Sequence, residues 1–146
     1  WGAVPGWLKF ELTESTLVED PARSLEVLTR LRALGVSIFI DDFGTGYSSL
    51  SYIATLPIHG LKIDRSFVSG MLGNPSVHSV VEATISLARA LQIRVVAEGV
   101  ETREQSDALE HLGCDEIQGY LGGAPMEADE FERWTAARGA PTPAGR

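Results

Sequence analysis

The sequence predicts an α/β fold built on a parallel sheet, from three observations: apolar runs and helical segments alternate five times, capping signals open the helices, and polar residues gather where the strands end. Such alternation implies right-handed βαβ units, arranged either as an open doubly wound sheet or as part of a (β/α)8 barrel. Residues 1–7 are turn-rich and lead into a first strand at Leu8–Leu12, whose alternation puts Lys9 and Glu11 on one face. Asp20 before Pro21 marks a helix start, and Leu25, Leu28, Leu31 and Leu34 recur at helical spacing up to a stop at Gly35. The second strand, Val36–Ile40, is an unbroken apolar run that delivers Asp41 and Asp42 to a DDFGTG loop, where Gly44 and Gly46 suit unusual backbone angles or close approaches. A short helix from about Ser48 to Leu56 stops at Pro57, and the third strand is Gly60–Ile63. Asn74-Pro75 opens a long amphipathic helix with Val77, Val80, Val81, Leu87, Ala88 and Leu91 as apolar positions. Arg94–Ala97 is the fourth strand, and Thr102 with Gln105 forms a capping-box pattern for a helix ending at Gly113. The fifth strand, about Glu116–Tyr120, a Gly-Gly-Ala-Pro loop and a helix with Phe131 and Trp134 follow, and 139–146 is expected to be a disordered tail.

Composition narrows the function. The chain has 146 residues, 44% of them apolar, enough for one globular domain with a core. A formal charge of −8 argues against DNA, RNA or an anionic membrane surface as partner, so an anionic ligand needs a metal or a local basic group. The single Cys114 excludes an internal disulfide and a cysteine zinc site; it fits a small packing residue and a reducing, cytoplasmic setting. No apolar segment approaches the ~20 residues of a membrane span.

All five predicted strands end in polar residues: Glu11 and Glu14, Asp41 and Asp42, Lys62 and Asp64, Glu98 and Glu101, Glu116 and Gln118. One carboxylate at a strand end usually caps a helix, and Asp41-Asp42 alone reads equally well as an Asx-turn. Five such ends converging on one mouth form instead an oxygen-rich pocket for one or two magnesium or manganese ions, with Lys62 as its one cation. An inward lysine must be paired with a carboxylate, and can also hold a water or a phosphate oxygen. His59, His78 and His111 fall before a strand or within helices, which disfavours zinc. No phosphate-cradling loop, dinucleotide fingerprint or serine elbow is present, and Ser48 and Ser49 read as helix-starting residues. Metals bridging carboxylates to a phosphate are a recurring arrangement for phosphoester hydrolysis.

The segments FELTES (10–15), DDFGTGYSSL (41–50), LKIDRSFV (61–68), VVAEGVET (95–102) and IQGYLGGAPM (117–126) resemble, in order, the motifs of the EAL-domain cyclic di-GMP phosphodiesterases. The resemblance implies a (β/α)8 TIM-barrel-like fold, here about its last five βα units, with 1–138 as the C-terminal portion of the domain. It implies hydrolysis of cyclic di-GMP to linear pGpG with Mg²⁺ or Mn²⁺ and inhibition by Ca²⁺. By motif, Glu11 and Asp41 are expected to bind a first metal, and Asp41, Asp42 and Glu98 a second. Glu98 is also the expected general base, Lys62 holds the attacking water, and Gln118 lies in the metal and water shell. Glu14 is expected to anchor the DDFGTG loop, and Asp64 and Glu101 to support the site. A homodimer through the DDFGTG-loop side, upstream sensor or cyclase-like domains and a membrane tether in the parent protein are further implications.

Two departures bear on this reading. The Glu-Ala-Leu motif and an asparagine ligand, which the family carries upstream of FELTES, are absent, which with the start at Trp1 leads to the expectation of an N-terminal truncation. Five units cannot close an eight-stranded barrel, so these 146 residues alone are expected to be inactive or weak, and dimeric or aggregation-prone. Gly122-Gly123-Ala124 also stand where the family has bulky and basic residues. The competing reading is a non-catalytic cyclic di-GMP receptor or interaction domain. Such relatives lose acids from the DDFGTG or AEGVE segments, and both segments are whole here.

Overall fold

The computed structural model describes residues 4–46 and 49–138; the expected tail and Ser48 lie outside the described residues. Five strands, β1 (Lys9–Thr13), β2 (Ser37–Phe43), β3 (Gly60–Ile63), β4 (Arg94–Glu98) and β5 (Glu116–Gln118), form one parallel sheet in the order β1-β2-β3-β4-β5. A doubly wound sheet reverses its strand order at a switch point, whereas sequential parallel neighbours are an arc of barrel wall. Helices cover one face, where Ile38, Ile40, Leu61, Ile63, Val95 and Ala97 pack as a core with Leu28, Val68, Val81 and Ile85.

The helices are α1 (Glu14–Glu19), α2 (Pro21–Ala33), α3 (Leu50–Ile53), α4 (Arg65–Gly70), α5 (Pro75–Leu91), α6 (Arg103–Leu112) and α7 (Ala128–Arg138). The capping signals act as expected: Asp20 accepts from Arg23 N–H at 3.1 Å, Asn74 from Ser76 N–H at 3.0 Å, and Thr102 with Gln105 forms a complete capping box. Two short helices were not legible. In α1 the run ESTLVE carries β-branched residues of modest helix propensity, and α4 is a single capped segment after Asp64. On α5, Val81 and Ala88 are buried while Val80 faces outward, 40% exposed.

The second strand differs from expectation in a way that matters for the site. It runs on through Asp41, Asp42 and Phe43 instead of releasing the aspartates into a loop. Pairing with β3 shifts between Ile40 and Phe43, and Asp42 has φ 53. Neighbouring strand residues normally point to opposite faces. This bulge overrides that rule and turns both carboxylates toward the same end of the sheet.

Glu116 also departs from expectation: grouped with the strand ends at the mouth, it lies instead at the start of β5. On the face opposite the helices it pairs with Arg94 at 2.8 Å and Lys9 at 4.0 Å. Lys9 and Arg94 both lie over the Phe39 ring, 4.2 and 5.1 Å from its centroid. The strand starts thus carry an aromatic floor under two cations that share one carboxylate, and the acids left for the mouth come from four strands.

His59, just before β3, accepts the Ile38 N–H on Nδ1 at 3.1 Å. Burial, then Arg32 and Arg94, push its pKa down. A depressed histidine contributes stability above its unfolded pKa of about 6.5 and loses it as pH falls through the folded value. The melting temperature is therefore expected to fall on acidification from about pH 7.5 to about 5.5, and less in His59→Gln. Equal pH slopes for the two proteins would refute this role.

Candidate active site

Lys62 stands at the centre of the strand-end cluster, 3% exposed on β3. Its Nζ reaches Glu11 Oε2 on β1 at 2.6 Å, Asp41 Oδ1 on β2 at 3.0 Å and Glu98 Oε1 on β4 at 2.6 Å. An ammonium has three N–H donors, and three carboxylates take them. Burial alone would lower the lysine pKa; hydrogen bonds to Glu11, Glu98 and Asp41 outweigh it and hold the pKa above the ordinary value.

Each of these contacts uses one oxygen of its carboxylate. Asp41 Oδ1 also accepts the Asp42 N–H at 3.1 Å. Asp41, Asp42 and Glu98 bring ligand oxygens within 4.8 Å of one another. Burial, followed by the charges of Asp41 and Asp64, pushes the Asp42 carboxyl above the usual range. Acids that disfavour one another's charged forms, with oxygens to spare, are a donor set a divalent cation fits.

The remaining expected residues surround this cluster. Asp64 caps α4, accepting Ser66 N–H at 2.9 Å and the Ser66 hydroxyl; these bonds hold its carboxyl below the usual range, and it also meets Asp42. Gln118 ends β5 directly opposite Glu98 in register. Glu101 lies outside the cluster, paired on the rim with Arg65 at 2.6 Å. Arg65 was missed by sequence reasoning. Its signal was a basic residue opening a helix, where the helix dipole disfavours positive charge.

Glu14, buried at the start of α1, accepts the N–H groups of Gly44 at 3.4 Å and Gly46 at 3.3 Å. Gly44 has φ +95, and a Cβ on Gly46 would sit 2.9 Å from the Glu14 carboxyl carbon. Both glycines are therefore required, one for its backbone angle and one for the space that lets the carboxylate reach the loop. Gly46→Ala is expected to displace Glu14, loosen the loop after Asp41 and Asp42, and weaken Mn²⁺ binding about 10- to 100-fold. Calorimetric titration checks this; unchanged affinity would rule out the anchor.

The EAL domain family matches residues 2–125. The chain belongs to the EAL domain family. Its sequence is 48% identical over 127 residues to the bifunctional diguanylate cyclase/cyclic di-GMP phosphodiesterase MucR of Pseudomonas aeruginosa, covering 87% of this chain and 18% of that protein. The solved MucR phosphodiesterase in complex with cyclic di-GMP superposes with a TM-score of 0.85 at 47% identity, over 88% of this chain and 52% of that one. A manganese and cyclic di-GMP complex of BlrP1 from Klebsiella pneumoniae superposes with a TM-score of 0.76 at 33% identity, over 82% of this chain and 31% of that one. The EAL fold is TIM-barrel-like, and the five-strand sheet is an arc of it. Among the described residues, no helix of this EAL domain is long and apolar enough to cross a membrane.

Proposed function

We propose that this chain carries the catalytic strand ends of a metal-dependent phosphodiesterase that hydrolyses cyclic di-GMP to pGpG, within a longer barrel that supplies the other strands. The observation that carries the reading is the convergence of Glu11, Asp41 and Glu98 on Lys62, with Asp42 completing a three-acid cluster beside it. The naming of the MucR relative as a cyclic di-GMP phosphodiesterase supports the substrate. The manganese complex of BlrP1 supports the choice of metal.

In this reading Glu11 and Asp41 hold a first Mg²⁺ or Mn²⁺, and Asp41, Asp42 and Glu98 a second, with Gln118 beside them. The ions supply Lewis acidity toward the phosphate and lower the pKa of water. Lys62, whose three donors are committed to carboxylates, is free to hold the attacking water once one partner turns away. Glu98 accepts the proton of that water. Glu14 keeps the loop after Asp42 closed on α1. Asp64 restrains Asp42, and Ca²⁺, larger and less demanding of geometry, inhibits.

Product analysis tests the proposal. The full protein is incubated with cyclic di-GMP and Mn²⁺, with and without a chelator, and the nucleotides are separated by chromatography. Metal-dependent pGpG is the expected result. Binding of cyclic di-GMP without any pGpG would establish a receptor instead.

A further inference from the structure

The geometry points to Arg65 as a positioning residue that straps the β4–α6 turn, and Glu98 with it, to the β3–α4 turn carrying Lys62 and Asp64. The hydrolysis arm of its test rests on the function proposed above.

Glu98 ends β4, and the turn that follows, Gly99 to Thr102, is held on two sides by α6 and β5. Gln105 Oε1 accepts Glu101 N–H at 2.8 Å and Thr102 N–H at 3.1 Å. Val100 N–H donates to Gln118 O at 3.1 Å, and Val100 O accepts Leu121 N–H at 3.0 Å. The side facing β3 is held by Arg65. Its aliphatic stem lies against Gly99, where φ is +67 and an added Cβ would overlap the stem. Its guanidinium reaches Glu101 Oε1 at 2.6 Å. Arg65 therefore spans the residues on either side of Val100, one step from Glu98.

Helix capping gives no reason for a cation in this place, because the α4 N-terminus disfavours it and Asp64 already serves as cap. An exposed ion pair also contributes little to stability. What the contact does determine is the separation of two turns whose ends carry Lys62 and Glu98, and those two side chains meet at 2.6 Å. Small displacements of reacting groups are costly to rate, so a strap that hardly affects melting can still govern turnover.

The test uses Arg65→Met, Arg65→Lys and Glu101→Gln in the full protein, read by steady-state kinetics, Mn²⁺ calorimetry, melting temperature and amide exchange across Glu98–Thr102. Arg65→Met is expected to lower kcat about tenfold with KM nearly unchanged, weaken Mn²⁺ binding about tenfold and speed exchange in that segment. Its melting temperature is expected to stay within about 2 °C. Glu101→Gln reproduces part of the loss, and Arg65→Lys, which keeps stem and charge, restores most of it. Unchanged kcat, Mn²⁺ affinity and exchange would overturn the proposal. A rise in KM alone would also overturn it, by making Arg65 a substrate contact. If the wild-type protein yields no pGpG, the proposed function fails, and Mn²⁺ affinity and amide exchange alone decide whether the strap exists.

Discussion

Lys62→Met is expected to destabilise the fold by about 3–5 kcal/mol and to abolish cyclic di-GMP hydrolysis. Lys62 is buried, and its ammonium is the shared partner of Glu11, Asp41 and Glu98. Methionine fills the space of the stem but leaves three carboxylates facing one another without a counter-charge. The loss far exceeds that of an exposed pair, because the carboxylates left behind are partly desolvated. Mn²⁺ is expected to raise the melting temperature of this variant more than that of wild type, since the ion replaces the missing cation, yet without restoring turnover. Because the folded pKa of Lys62 is raised, its contribution is complete below the unfolded value of about 10.4 and is lost only as pH rises through the folded value. The difference in stability between the two proteins is therefore flat across neutral pH. A variant that melts like wild type would show that the cluster is not held by this lysine.

Glu98→Gln has the second largest expected effect, on activity and not on fold. The amide keeps the size of the side chain and an acceptor for Lys62, but removes a charge and the capacity to take a proton. Turnover is expected to fall about 10²- to 10⁴-fold, the range of a positioned general base, while cyclic di-GMP still binds. Single-turnover kinetics with a parallel binding measurement separate the two. Loss of binding equal to the loss of rate would move Glu98 from the chemistry to substrate recognition.

Much of this was legible in the sequence because local patterns carry it. Asp20-Pro21, Asn74-Pro75 and Thr102 with Gln105 are short-range hydrogen-bonding devices, and all three open helices as expected. Lys62 was readable as paired because an inward lysine on an apolar strand has no other stable state. The bulge at Asp41-Asp42 was not legible, because it arises from the register between β2 and β3 and not from the residues of β2 alone. Glu116 was misplaced for a similar reason. The predicted strand already opens at Glu116, as β5 does, and its partners Lys9 and Arg94 open strands distant in the chain, so only the assembled sheet places it with the strand starts and away from the mouth. Arg65 and Glu101 were separated by 36 residues, and only the fold reveals them as a pair.

The most direct test of the central claim is a Mn²⁺ titration of the full protein and of its Asp41→Asn variant, followed by calorimetry. Asp41 contacts Lys62 and belongs to the three-acid cluster, so its charge is shared by everything the site holds. Saturable Mn²⁺ binding in the wild type that is lost in Asp41→Asn, with the fold retained, is the predicted result. Equal Mn²⁺ affinity in the two proteins would contradict a metal centre at these strand ends.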